Sequence, residues 1–139
     1  RADVPVMSDA SPGRTRPLVL LAEDDPDVRD MIERKLRGDD MDVIAVSDGV
    51  AALHAAKTMR PDLVLLDVMM PGMTGLQICH ELRSNIATNN LPVMLITARA
   101  RAEDIQTGYD AGADDYIVKP FSPRDLVTRI RDGLVAVRR

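Results

Sequence analysis

Aromatic residues are nearly missing from this chain. Of its 139 residues none is tryptophan, one is phenylalanine and two are tyrosine. A core made without rings must be aliphatic, and an apolar content of 45%, mostly Leu, Val, Ile, Met and Ala, is enough for one ordinary core. Cysteine is almost absent too. Cys79 stands alone, so no internal disulfide can form, which suits a reducing compartment. No apolar run is long enough to cross a bilayer. The first residues lack the basic-then-apolar pattern of a secretory leader, so the chain reads as soluble and cytoplasmic. Positive charge is not in excess either: 18 Lys and Arg stand against 22 Asp and Glu, for a formal net charge of −4. That removes the electrostatic basis for nucleic acid as the direct ligand of this segment. The length is that of one domain.

What is present is a regular alternation. Residues 1–17 carry Pro5, Pro12, Gly13 and Pro17 among small polar residues and read as a flexible tail, within which Met7 offers a native start. From Leu18 to the end at Arg139 the chain reads as one domain. Leu18–Ala22 is a compact apolar run, read as strand 1. Asp25 and Pro26 are a helix cap and a proline at the first helical position; Val28, Met31, Ile32 and Leu36 follow at helical spacing, and Gly38 stops the helix. Asp42–Val46 reads as strand 2, and Ser47 as the cap of a helix running to about Met59. Leu63–Leu66 is strand 3 and ends at Asp67; Pro71-Gly72 is a turn, and a third helix places Leu76, Cys79 and Leu82 on one face. Leu91–Ile96 is strand 4 and ends at Thr97. A helix of poor apolar periodicity follows near Arg101–Ala111, then Tyr116–Val118 as strand 5, ending at Lys119-Pro120. Ser122 and Pro123 open a last helix with Leu126, Ile130 and Leu134. Such alternation of strands and helices predicts an α/β fold, a parallel sheet covered on both faces. The near-continuous apolar strands agree, because a strand buried on both sides has no polar alternation.

The chemistry collects at the strand ends. Glu23, Asp24 and Asp25 follow strand 1; Asp67 ends strand 3, Thr97 strand 4 and Lys119 strand 5. In open α/β sheets ligands bind outside the carboxyl ends of the strands. Each residue also has a plainer reading. Asp25 serves as a helix cap, Thr97 would equally cap the fourth helix, and Tyr116 would equally pack at an edge strand. His54 and His80 have no partner at metal-ligand spacing and read as surface helix residues.

The segments Val19 to Asp25 (VLLAEDD), Leu63 to Gly75 (LVLLDVMMPGMTG), Ile96 to Ala98 (ITA) and Gly112 to Phe121 (GADDYIVKPF) together resemble the receiver domains of two-component response regulators, over about residues 18–137. The resemblance implies a flavodoxin-like (βα)5 fold, a doubly wound five-stranded parallel sheet of order 2-1-3-4-5. In that order strands 1 and 3 are neighbours, roughly 4.8 Å apart, so Glu23, Asp24 and Asp67 converge. Converging carboxylates repel, and one would take up a proton unless a cation relieves them. Carboxylates and water are the ligands that Mg2+ prefers. The resemblance makes Asp67 the phosphoacceptor, with Glu23, Asp24, Asp67 and the Met69 backbone carbonyl as ligands to magnesium. Thr97 and Lys119 would each contact a phosphoryl oxygen, Tyr116 would be a rotating switch residue, and Lys119-Pro120 would be a cis peptide. A carboxylate is a competent nucleophile towards phosphorus, and phosphoryl transfer asks mainly for positioning and charge neutralisation.

The implied donor is a sensor histidine kinase or a histidine phosphotransfer protein. The implied output is a change in the surface of helix 4, strand 5 and helix 5, through which related regulators form phosphorylation-dependent homodimers. Asp115, Asp125 and Arg129 match the charged pairs of that surface, whereas Ile105 stands where a basic residue is usual. Two other readings compete. A magnesium-dependent phosphohydrolase would need a general acid two residues after its nucleophile, where this chain has Met69. A degenerate receiver, serving only as an interaction module, would have lost one of the five site residues, and none is lost. The expectation is therefore a phosphorylated switch and not an enzyme. Met69 and Arg99 are expected to tune the lifetime of the phosphoryl group.

Overall fold

The computed structural model describes residues 15–137. Ten elements alternate along the chain: β1 (Leu18–Ala22), α1 (Pro26–Gly38), β2 (Asp42–Val46), α2 (Gly49–Thr58), β3 (Leu63–Asp67), α3 (Gly75–Arg83), β4 (Val93–Thr97), α4 (Ala102–Asp110), β5 (Asp115–Val118) and α5 (Pro123–Val137). The strands form one parallel sheet in the order β2-β1-β3-β4-β5. This is the doubly wound arrangement expected. The flexible tail expected over residues 1–17 lies outside the described residues as far as residue 14; Pro17 is already engaged, its carbonyl accepting from the Asp42 N–H at 2.9 Å.

The period-two geometry of a strand sends alternate side chains to opposite faces, and the central strands are apolar on both. Val19, Leu21, Leu63, Leu65, Met94 and Ile96 pack against Ile32 and Leu36 of α1 and Leu126, Ile130 and Leu134 of α5. Leu20, Val64, Leu66 and Leu95 pack on the other face against Ala52, Ala55 and Ala56 of α2 and Ile78, Cys79 and Leu82 of α3. The alanines of α2 let that helix lie close to the sheet. His54 and His80 are exposed on α2 and α3, as expected.

Local chemistry sets the helix starts. The Asp25 carboxylate accepts from the N–H groups of Asp27 (2.9 Å) and Val28 (3.4 Å), with Pro26 just inside α1. α3 opens on a reciprocal box: the Thr74 hydroxyl accepts from the Gln77 N–H and the Gln77 amide oxygen from the Thr74 N–H. The cap of α2 is Asp48 and not Ser47, because Asp48 Oδ1 accepts from the Ala51 N–H at 2.8 Å. β4 begins at Val93, two residues later than the apolar run suggests. Pro92 has no N–H, and the Leu91 N–H is spent on the Thr88 carbonyl at 3.0 Å. α4 is the least supported helix. Its first cap, Arg101, makes no side-chain cap bond, and Gly108 is its only buried residue. The Lys119-Pro120 peptide is cis. Among the described residues no helix is long and apolar enough to cross a membrane.

Candidate functional site

The site lies where β1, β3, β4 and β5 end, and backbone bonds carry the ladder past each strand to the residues that matter. The Glu23 N–H donates to the Val46 carbonyl (3.1 Å), the Val68 N–H to the Ile96 carbonyl (3.0 Å) and the Lys119 N–H to the Thr97 carbonyl (2.8 Å). The functional side chains therefore start from rigid backbone. Gly75 lets α3 begin close by: a Cβ there would stand 2.6 Å from the Asp67 carbonyl oxygen, so no other residue fits without movement.

Four of the predicted residues, the three acids and Lys119, come together. Glu23, Asp24 and Asp67 each place a carboxylate oxygen within 4.8 Å of the others. Glu23 has no exposure, Asp67 is buried at 4% and Asp24 is exposed. The Lys119 ammonium lies between the two buried acids, 2.8 Å from Glu23 Oε1 and 3.1 Å from Asp67 Oδ2. Only the second contact has hydrogen-bond geometry, so Glu23 Oε1 is left without a hydrogen-bond donor among the described residues. The other oxygen of each acid is held by backbone: the Asp25 N–H donates to Glu23 Oε2 and the Met69 N–H to Asp67 Oδ1, each at 3.1 Å.

Burial dominates the electrostatics of Glu23. It pushes the carboxyl from 4.5 up to about 7, the nearby Lys119 opposing the rise and Asp67 adding to it. Burial pulls Lys119 the other way, towards losing its proton, but contact with Glu23 and the charge of Asp67 outweigh it and the ammonium is held above its ordinary range. This carboxylate-rich pocket, with one buried oxygen met only by the charge of Lys119 and one acid open to water, fits a hard divalent cation.

Thr97 is buried at 1% exposure. Its hydroxyl accepts from the Arg99 N–H at 3.2 Å, and α4 starts later, at Ala102 after Arg101, so Thr97 is not the cap of that helix. Tyr116 is buried at 7% exposure, and its hydroxyl donates to the Arg99 carbonyl at 3.0 Å. The peptide groups of Arg99 thus join the two hydroxyls expected to switch. The tyrosine ring is already turned inward in this structure. Met69, two residues after Asp67, exposes its side chain. On the flank, Arg129 pairs within the chain, 3.2 Å from Asp115 and 3.2 Å from Asp125, and Ile105 packs against the core beneath α4.

One supporting residue escapes a strand-end reading. Arg29 reaches back from α1 to donate to the Glu23 carbonyl at 2.9 Å, pinning the loop that carries the acidic pair. A cation this near a helix N-terminus opposes the macrodipole, and that misfit is the signal that could have found it.

The comparisons with known proteins agree with this geometry. Residues 19–131 match the family model described as the response regulator receiver domain. The chain is 43% identical over 119 residues to the DNA-binding response regulator MtrA of Mycolicibacterium smegmatis, covering 86% of this chain and 51% of that protein. It is also 43% identical over 113 residues to the Mycobacterium tuberculosis protein TcrX, described as a probable transcriptional regulatory protein, covering 81% of this chain and 47% of that one. The chain thus spans about half the length of the curated relatives it matches. Among solved structures it is similar to the BeF3-activated N-terminal receiver domain of Klebsiella pneumoniae RstA, at a TM-score of 0.78 and 35% identity over 84% of this chain and 97% of that one. It is similar also to the Francisella response regulator 1452 receiver domain, at a TM-score of 0.82 and 31% identity over 87% and 98%. By sequence and fold, this chain belongs to the response regulator receiver domains.

Proposed function

We propose that Asp67 accepts a phosphoryl group from a phosphohistidine, supplied by a sensor histidine kinase or a histidine phosphotransfer protein, and that the resulting aspartyl-phosphate is the signal. The observation that carries this reading is the placement of Lys119 Nζ 3.1 Å from Asp67 Oδ2, beside the acidic pair. An Asp67 oxygen attacks phosphorus and the phosphorus–nitrogen bond to the donor imidazole breaks. Lys119 pairs with one phosphoryl oxygen and the Thr97 hydroxyl donates to another. Glu23, Asp24, Asp67 and the Met69 carbonyl would hold magnesium, which when bound neutralises charge on the transferring group. Self-phosphorylation and self-dephosphorylation are the only reactions in this reading. Met69 offers no proton to drive turnover as a phosphohydrolase would need.

The switch is a population shift. When Thr97 turns towards the phosphoryl group its hydroxyl leaves the Arg99 N–H, and the inward position of Tyr116 is favoured. The surface of α4, β5 and α5 changes with it. That surface would serve a phosphorylation-dependent homodimer, and a DNA-binding output of the kind named for the relatives is the form of control we favour. The setting is cytoplasmic, where the donor and the magnesium are found together.

The test is intact-mass measurement after incubation with magnesium and acetyl phosphate, with Asp67→Asn alongside. One phosphoryl adduct on the wild type, missing from the variant and lost on chelation, is the expected result. If neither acetyl phosphate nor beryllofluoride modifies the wild type, the chain is an interaction module and the proposal falls.

A further inference from the structure

α4 carries a glycine in its middle that its backbone does not ask for. Gly108 is helical, with no positive φ to require it, and glycine is among the poorest residues for a helix interior. The reason for it lies across the gap to β5. A Cβ at residue 108 would stand 2.6 Å from Tyr116 Cδ2, 2.8 Å from Tyr116 Cε2 and 3.2 Å from Leu95 Cδ1. Two of these atoms belong to a rigid ring, and sliding the ring aside would strain the bond that its hydroxyl donates to the Arg99 carbonyl at 3.0 Å. The missing side chain is the space in which the ring lies.

We infer that Gly108 is the seat of Tyr116: a positioning residue whose empty side couples the place of α4 to the rotamer of the tyrosine. This rests on the reading above in which the Tyr116 rotamer reports the state of Asp67. With the ring inward, α4 closes on it and the contact is filled. With the ring outward, the notch is empty and α4, held by little else than Ile105, loses its main anchor to the sheet. Any side chain at residue 108 forces a choice between the inward ring and the seated helix. Alanine there would otherwise be expected to strengthen the helix, so steric cost and helical propensity pull in opposite directions and can be separated.

The chain helps the experiment, because its only tyrosines are Tyr109 and Tyr116. In a Tyr109→Phe background, 3-fluorotyrosine gives a single fluorine resonance from residue 116. Glycine at residue 108 should give a resonance shielded from a soluble paramagnetic probe, and Gly108→Ala should make it several-fold more accessible. A resonance equally shielded in both would overturn the inference. Melting temperatures of the wild type, Gly108→Ala, Tyr116→Ala and the double variant complete a cycle. Gly108→Ala should lower the melting temperature beside Tyr116 and raise it beside Ala at residue 116. Equal shifts in both backgrounds would overturn the seat. If Gly108→Ala fails to fold, recovery in the double variant supports the same clash, and no recovery counts against it. Beryllofluoride affinity should fall several-fold on Gly108→Ala when Tyr116 is present and not when it is absent. Failure of all four proteins to bind beryllofluoride would count against the phosphoacceptor reading alone, since the fluorine resonance and the melting cycle decide the seat without it.

Discussion

Replacing Glu23 with glutamine removes the most deeply buried carboxylate of the acidic cluster without changing its size. In metal-free protein that carboxylate is a burden. Its pKa rises from 4.5 to about 7 on folding, chiefly because burial disfavours the charge. Below pH about 4.5 the group is protonated in both folded and unfolded chains and contributes nothing either way. Between the two values the unfolded chain has lost the proton while the folded chain keeps it, so stability falls as pH rises. Above about 7 the loss is complete and constant. At about 1.4 kcal/mol per pH unit, the displacement amounts to about 3 kcal/mol. For a domain of this size that is about 10 °C in melting temperature. The assay is thermal unfolding from pH 5 to 8 in EDTA. All other groups titrate in both proteins, so the quantity to read is the difference between wild type and Glu23→Gln. The difference should be under about 1 kcal/mol at pH 5 and should grow in the variant's favour to about 3 kcal/mol near pH 8. Magnesium at a hundred times its Kd should then raise the wild type by about 2.7 kcal/mol and the variant by less. Parallel profiles in EDTA, or a wild type that gains relative to the variant as pH rises, would refute the electrostatic account of the pocket.

Met69 cannot orient a water by hydrogen bonding beside the acceptor, so Met69→Asn should shorten the phosphoryl lifetime; loss of the mass adduct with time measures it, and faster loss in the wild type would contradict the assignment. Arg129→Glu would set a third acid against Asp115 and Asp125, which Arg129 now neutralises at 3.2 Å each. It should weaken any beryllofluoride-induced dimer, and an unchanged dimer by sedimentation would exclude this surface. Arg83 ties together the loops before β4 and β5, donating to the carbonyls of Gly112 (2.9 Å) and Leu91 (2.6 Å) and to Asp114 (2.8 Å). Arg83→Met should cost about 2–3 kcal/mol in urea unfolding while leaving phosphorylation of Asp67 intact.

The sheet was legible because a parallel sheet buries both faces of its strands, and four- and five-residue runs such as Leu63–Leu66 announce that directly. Where the reading slipped, backbone hydrogen bonding decided and apolarity did not. Leu91 and Pro92 look like strand, but one turns back to Thr88 and the other has no N–H to offer. Ser47 and Asp48 are both capping residues, and only the second places an oxygen on the Ala51 N–H. The strand order came from resemblance alone, since alternation of elements does not say which strands are neighbours. The five candidate site residues were legible because each stands at a strand's end. Arg83 and Gly108 were not, because their roles follow from distances between elements that no single stretch of sequence encodes; Arg29 left only the local misfit of a cation near a helix N-terminus.

That difference bears on how the proposed switch would be wired. Thr97 and Tyr116 never touch in the bonds described; they meet at the backbone of Arg99, whose N–H serves the first hydroxyl and whose carbonyl serves the second. The Arg99 side chain is exposed and takes no part in that bridge. Side-chain replacement at residue 99 therefore leaves the bridge standing, and an alanine scan would pass over it. Only a change that removes the N–H itself, such as proline, breaks the link from Thr97. On the far side the ring rests on Gly108, where again there is no side chain to delete. In the proposed switch, coupling between the Asp67 pocket and α4 would run through the two peptide groups that flank the Arg99 Cα and a missing methyl group. Both are invisible to mutations that make side chains smaller and sensitive to those that add atoms or take a donor away. A search for the allosteric residues of this domain by truncation would find the ends of the path and miss its middle.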